Sequence, residues 1–517
     1  MALSSSPNSD GINMPGKLRS LVQTQKLDIE INLKGHKKAY STLDGIEGTA
    51  EITAAVNTHF DDIDIEFVGT SRTYVERLTT AAAASGRSEA FHQFLKLTQP
   101  GLQQHYPADC ILKAGQTYKF PFLFVVPQQL LPRVCQHKTH NPAVRDAHLQ
   151  LPPTLGDKGL GTGPDALDDM APDMASVRYG IFARVSRTKT HDAETFKVSL
   201  ASKAKRLRVT PAAAEQPPLD AGGAGSEYTM RKEKTLRKGV LKGKLGTLIM
   251  EASQPQSLHL QTFSNPEFRT TVMATVMLRF DPADEKAPPP RLGSLSTKMK
   301  VCTFFASTAR HNFPSKTASL LDLSQGLHAE QINLSSRCVA NVEWSKCDPA
   351  KPVTINRRDS ALSLNAGDIP QPSATYGGKT FYTARVLVPI TLPTKQTFVP
   401  TFHSCLISRR YQLKIELGLH SVVGQTLDLR VPIQISAEGS DGEQDSRQES
   451  EELADDVDDE VDDALDLFVA RRTTRAQSDG APRRARIGSQ APLYDAPPGY
   501  SPFATGLQGR QMSVPAY

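Results

Sequence analysis

This chain of 517 residues contains no C-x-x-C pair, no glycine loop for phosphate, no G-x-S-x-G elbow and no H-E-x-x-H motif. Those absences remove the usual signatures of a redox dithiol, a P-loop, a serine hydrolase and a zinc protease. The six cysteines, at 110, 135, 302, 338, 347 and 405, are scattered. That usage suits a reducing compartment better than a disulfide framework. No apolar run approaches the roughly 18–20 residues that cross a bilayer, and the longest, residues 120–126, is interrupted by Pro121. The first residues show no basic start followed by an apolar stretch, so no secretory signal is read there. Hydrophobic residues make up 38%, low for a compact protein, so part of the chain is expected to lie outside any core. The chain reads as cytosolic, with peripheral membrane contact.

Charge is unevenly divided. From Glu438 onward there are 17 acids, 8 arginines and no lysine, a net of −9, which leaves +14 on the rest of a chain whose total is +5. A basic body with an acidic tail can fold back on itself or meet acidic partners. A tail without lysine offers no conventional ubiquitin acceptor.

The body reads as strands. Residues 27–33 and 63–67 alternate apolar and polar with period two, and residues 179–185 are similar, as half-buried strands do. Many such segments separated by turn residues predict β-sandwiches. Residues 151–176, rich in Gly, Pro and Asp, are expected as an exposed loop, and residues 79–88, rich in Ala, as a loop or short helix. Residues 211–226 (PAAAEQPPLDAGGAGS) are a linker by composition. A second strand-rich region follows, clearest at 268–280, 380–392, 411–417 and 427–435, with surface loops expected at 282–295 and 348–378. The expected organisation is a flexible segment over 1–25, an N-terminal sandwich over 26–210, a linker over 211–226, a C-terminal sandwich over 227–437 and a disordered tail over 438–517.

The tail contains Pro497-Pro498-Gly499-Tyr500. Consecutive prolines hold polyproline II, a conformation that an aromatic-lined WW groove accepts at little entropic cost, and Tyr500 supplies a ring for a second pocket. Pro492 with Tyr494 and Pro515 with Tyr517 repeat the Pro-x-Tyr spacing as secondary WW-binding elements, which raises effective concentration for a partner with several WW domains. Leu453, Val457, Val461 and Leu465 recur every four residues within the acidic stretch 438–466, one face of a helix formed on binding, against the alternative of an acidic spacer. Ser478 and Ser489 each follow an arginine by three positions. Phosphorylation there would add roughly −1.5 to −2 charges per site beside the docking motif.

Arg231, Lys232, Lys234, Arg237, Lys238, Lys242 and Lys244 form a basic run. It reads either as the solvated edge of a strand or as a surface for acidic cytosolic segments or anionic lipid. No aromatic residues interleave the charges, so nucleic acid is not expected. Cys135, His137 and His140 lie close together with His148 nearby, in a polar stretch between Pro132 and Pro142. They are read as a solvated loop, and neither a metal nor another cofactor is expected. No nucleophile or acid–base grouping stands out, so no enzymatic activity is expected.

Residues 111–132 (ILKAGQTYKFPFLFVVPQQLLP) resemble the arrestin N-domain signature, a Gly turn, an aromatic strand carrying Pro, then a Leu-Pro corner. Residues 40–48 (YSTLDGIEG) resemble the early loop and strand of that domain. Residues 398–417 (FVPTFHSCLISRRYQLKIEL) and 427–435 (LDLRVPIQI) resemble the end of the arrestin C-domain. With a P-P-x-Y motif downstream, this order is similar to that of the α-arrestins, the fungal ones above all. The resemblance implies an all-β fold of two tandem arrestin-like β-sandwiches followed by a disordered tail. It also implies an adaptor that brings a HECT-type ubiquitin ligase with WW domains to plasma-membrane transporters or receptors for ubiquitination and endocytosis. The alternative is an arrestin-fold signalling or endosomal sorting scaffold that recruits no ligase.

Overall fold

A computed structural model describes residues 27–35, 37–77, 86–160, 168–191, 194–216, 227–237, 243–260, 271–348, 369–420 and 426–439. The architecture is all-β, as expected. The N-terminal half contributes β1 (Leu27–Leu33), β2 (Gly45–Ala54), β3 (Thr58–His59), β4 (Asp62–Arg77), β5 (Gly86–Thr98), β6 (Ile111–Leu112), β7 (Thr117–Val125), β8 (Ala175–His191) and β9 (Glu194–Leu207). A three-stranded sheet of order β1-β2-β7 and a four-stranded sheet of order β5-β4-β8-β9 enclose one core. Leu27, Ile29 and Ile31 of β1 point inward with Phe120, Phe122 and Phe124 of β7. They meet Ile63, Ile65 and Phe67 of β4 and Tyr179, Ile181 and Val185 of β8. Pro121 is accommodated because its strand pairs on one side only, with β2, where a missing N–H breaks no ladder bond.

The C-terminal half adds β10 (Arg231–Arg237), β11 (Lys244–Ala252), β12 (Leu258–Leu260), β13 (Thr271–Pro282), β14 (Leu292–Ala306), β15 (Gln325–Cys338), β16 (Ser345–Cys347), β17 (Phe381–Thr391), β18 (Phe402–His403), β19 (Ile407–Leu419), β20 (Thr426–Ile433) and β21 (Ile435–Ala437). One sheet runs β10-β11-β13-β17-β16. The facing sheet runs β15-β14-β19, with β18 and β20 both paired to β19. Two short helices punctuate the strands, α1 (Pro142–His148) and α2 (Lys316–Leu321). Asn141 caps α1 by accepting the Ala143 N–H, and Pro142 occupies its first turn, where no N–H is needed.

Four loop expectations are corrected. Residues 151–155 are buried rather than exposed. Leu155 pairs with Val177, and the Thr154 hydroxyl accepts the Val209 N–H, so the polar backbone of a Gly/Pro-rich stretch finds partners inside the fold. The first part of the linker is fastened too: Ala213 bridges Ala437, and Gln216 and Gln434 exchange side chain–backbone hydrogen bonds. The stretch read as a surface loop over 282–295 buries Ala287, and its end enters β14 with Leu292 and Leu295 in the core. Residues 79–85, the acidic stretch beyond Gly439, the Ser478 and Ser489 sites and all three Pro-x-Tyr elements lie outside the described residues, while residues 86–88, expected within the alanine-rich loop or short helix, open β5 instead.

Candidate functional site: the basic edge and the seam between the sandwiches

β10 is the terminal strand of its sheet, paired only with β11. Leu236 anchors it in the core, while its cations reach outward. Much of that charge is answered internally. Arg231 pairs with Glu233 at 2.5 Å and Glu251 at 3.4 Å, and donates to the carbonyls of Gln371 and Pro372. Lys232 pairs with Asp428 on the facing sheet. Lys234 donates to the Thr426 carbonyl and Lys244 to the Thr375 hydroxyl. Arg237 is exposed. Lys238 and Lys242 lie outside the described residues. In the N-terminal sandwich, Arg206 of β9 and Arg178 of β8 flank the buried Asp157 at 3.4 and 3.6 Å. Burial raises the Asp157 carboxyl above its ordinary value, against the pull of the two arginines.

The two cores interlock across a seam. Phe305, Val399, Phe402, Leu406 and Ile407, from the C-terminal half, belong to the N-terminal core. In return Met170, from the stretch before β8, sits in the C-terminal core. Arg409 of β19 is completely buried and donates to the carbonyls of Asp169 at 3.0 Å and Met170 at 3.3 Å. The Thr73 hydroxyl of β4 donates to the Ala306 carbonyl at 2.6 Å. Buried cations of this kind persist only when hydrogen-bonded.

A second cross-seam cluster gathers Cys135, His137, His148 and Cys405, whose ligating atoms all lie within 4.8 Å of one another. Cys135 closes the short 3₁₀ turn of Pro132–Val134, His148 ends α1, and Cys405 lies in the turn between β18 and β19. Cys135 Sγ lies 3.2 Å from His137 Nε2 and 3.7 Å from His148 Nδ1, and His137 Nε2 lies 3.4 Å from Cys405 Sγ. The hydrogen bond from Cys405 and those from His137 and His148 hold the Cys135 thiol far below its usual value, against the opposing effect of burial. Cys405 is pushed the other way by its bond to Cys135 and by burial. The bond to Cys135 raises His137.

This corrects the reading of the stretch as a solvated loop. Cys135 and His148 are buried, and a partner 257 positions beyond His148 in the sequence completes the group. His140 is not part of it; its ring faces Asn312 Oδ1 at 3.0 Å and its N–H donates to the His311 carbonyl. No local spacing in the sequence links Cys405 to Cys135. The one sequence signal at Cys405 is His403, two positions before it.

Residues 373–437 match the family model described as the Bul1 C terminus. The match takes in β17 to β21, and with them Cys405 and Arg409. Comparison with curated proteins gives no match. The all-β architecture with two cores agrees with the arrestin-like resemblance, and the match to the Bul1 C terminus is confined to its last strands.

Proposed function

We propose that this chain is a non-enzymatic adaptor that brings a HECT-type ubiquitin ligase with WW domains to the cytosolic regions of plasma-membrane transporters or receptors. The carrying observation is a conjunction: a Bul1 C-terminal match over the last strands, followed by Pro497-Pro498-Gly499-Tyr500 in the same chain. The strands supply a surface for cargo, and the proline motif supplies a ligand for a WW groove. Tethering then makes ubiquitin transfer to cargo lysines effectively intramolecular. No described helix is long and apolar enough to cross a membrane, so a peripheral role at the plasma membrane or endosomes fits. Among the described residues, Lys234, Arg237 and Lys244 form no ion pair with an acid; with Lys238 and Lys242 they are the cations we assign to acidic cargo segments or anionic lipid, at about 1 kcal/mol each near a membrane. Ser478 and Ser489 are proposed as phosphorylation sites that adjust ligase access.

The test is a pulldown of WW-domain ligase with full-length chain carrying Pro497→Ala, Pro498→Ala and Tyr500→Ala, alone and with Tyr494→Ala and Tyr517→Ala. Loss of the ligase with an unchanged far-UV circular dichroism spectrum supports the reading. Undiminished capture by the variant lacking all three elements would leave the arrestin-fold scaffold without ligase recruitment as the better description.

A further inference from the structure

We propose that Cys135, His137, His148 and Cys405 form a closed structural site for a zinc-class divalent cation, and that this ion fastens the N-terminal sandwich to the C-terminal one. Tetrahedral zinc with bonds of about 2.3 Å to sulfur and 2.0–2.1 Å to nitrogen places neighbouring sulfur and nitrogen ligands about 3.6 Å apart. Three of the four sulfur–nitrogen separations across the cluster are 3.2, 3.4 and 3.7 Å, and the fourth, between Cys405 and His148, lies within 4.8 Å. Four soft or borderline ligands, two thiolates and two imidazoles, are the donor set that selects zinc over magnesium or calcium.

The surroundings fit as well. Two thiolates and two neutral imidazoles around a dication give a complex of no net charge. Such a complex is the form that tolerates burial, and Cys135, His148 and Cys405 are all buried. The His137 ring turns its other nitrogen, Nδ1, toward the Lys138 carbonyl at 3.4 Å. That contact fixes the tautomer that leaves Nε2 free to ligate. All four ligands come from the protein and the group is largely enclosed, which describes a structural centre and leaves no open position for a reacting molecule. Both sulfurs ligate as thiolates, so any proton that either carries leaves on binding.

The placement gives the ion a purpose. Three ligands come from the stretch between β7 and the end of α1, and the fourth from the β18–β19 turn. A third segment, Arg310 and His311 after β14, bridges the two: Cys405 O accepts the Arg310 N–H, His140 N–H donates to His311 O, and Lys138 O accepts from the His311 ring. An ion here would bind directly across the seam where the cores interlock, and it would hold the folded, docked state in preference to any in which the halves separate.

The experiment uses the full chain, purified under a thiol reductant and without chelator, with metal measured by plasma mass spectrometry. About one zinc per chain is expected. Cys135→Ser and Cys405→Ser should each lose it, while Cys110→Ser and Cys338→Ser keep it. Cobalt(II) exchanged for zinc in the wild type should give the visible bands of a tetrahedral thiolate–imidazole complex, a readout that stands even if the serine variants fail to fold. Stripping the ion should speed limited proteolysis within residues 135–150. A wild-type chain that holds no stoichiometric metal and gives no tetrahedral cobalt spectrum would overturn the proposal. Retention of zinc by folded Cys405→Ser, or a Cys135–Cys405 disulfide found by mass mapping without reduction, would do the same.

Discussion

Arg409 grips the main chain at Met170 from one sandwich while the Met170 side chain fills the core of that same sandwich from the other half. The methionine arrives with a left-handed backbone, φ 57°, an uncommon conformation for a residue with a side chain. Asp168 Oδ1 accepts the Met170 N–H at 2.9 Å and Asp169 Oδ1 the Ala171 N–H at 3.0 Å, which holds that turn. Met170→Ala should therefore cost about 2–5 kcal/mol, as a cavity in a packed core does. Arg409→Leu should cost about 1–3 kcal/mol for each carbonyl left without its donor. Because the two act on one insertion, the double variant should depart from additivity by about 0.5–3 kcal/mol. Urea unfolding of the full chain measures all three. Strict additivity would show that the insertion and the arginine act separately.

Gly48 lies within the segment that resembles the arrestin early strand. A Cβ built there would sit 2.4 Å from the Asn32 carbonyl oxygen and 2.5 Å from the Phe122 ring, whereas one at Gly45 meets only Leu123 at 3.8 Å. The first clash is with backbone on the neighbouring strand and cannot be relieved by a rotamer change. Gly48→Ala should destabilise by about 1–3 kcal/mol through overpacking, and Gly45→Ala by no more than about 0.5 kcal/mol. Thermal melts of the two variants, compared directly, decide it. Equal melting temperatures would mean that β1 and β2 shift apart freely.

Acid should loosen the C-terminal sandwich in a way that particular lysines control. The hydrogen bond from Lys232 holds the Asp428 carboxyl below its ordinary 3.8, and bonds from Lys414 and Lys298 hold Glu416 below 4.5. A carboxyl whose folded value is depressed binds protons more readily when unfolded. Its contribution is fully present above the unfolded value and is lost as pH falls through the folded one. Stability should thus decline below about pH 4, and Lys232→Met or Lys298→Met should flatten that decline by lowering stability at pH 7, by no more than about 1 kcal/mol since both pairs are partly exposed, with little change near pH 3. Denaturant midpoints collected between pH 3 and pH 7 test it. An identical slope in wild type and variants would remove these pairs from the account.

Period-two patterning makes β1, the first part of β4 and β17 legible in the sequence, because more exposed residues alternate there with core ones, whereas β8 is legible as an apolar run that is buried on both faces over residues 179–183. β15 escaped notice for the opposite reason. Its residues are exposed or half-buried throughout, and nothing in its composition distinguishes it from a polar loop. Composition predicts an exposed loop over 151–176 and a linker over 211–226, yet residues 151–155 and 211–216 are ordered inside the fold. Their order comes from distant partners, Val177, Val209, Gln434 and Ala437, which no local window contains. The metal-type cluster failed to appear for the same reason. Three of its members share one stretch of sequence, and the deciding fourth, Cys405, is supplied by tertiary structure.

The spacing of the Pro-x-Tyr elements carries a prediction about valency. Pro492 with Tyr494 and Pro515 with Tyr517 lack the second proline that sets the conformation at Pro497-Pro498. Alone, each should bind one WW domain far more weakly than the central motif. With a ligase fragment that carries several WW domains, the same elements dock under a high local concentration, and linkage of this kind can raise avidity by about 10²–10⁴. Tyr494→Ala with Tyr517→Ala in the full chain should then leave affinity for a single WW domain nearly unchanged and weaken binding to the tandem domains many-fold. Biosensor titrations of the same immobilised chain against the two fragments separate these effects. Equal losses against both would mean that the flanking tyrosines act on the central motif itself, and equal retention would leave Pro497, Pro498 and Tyr500 as the whole docking element.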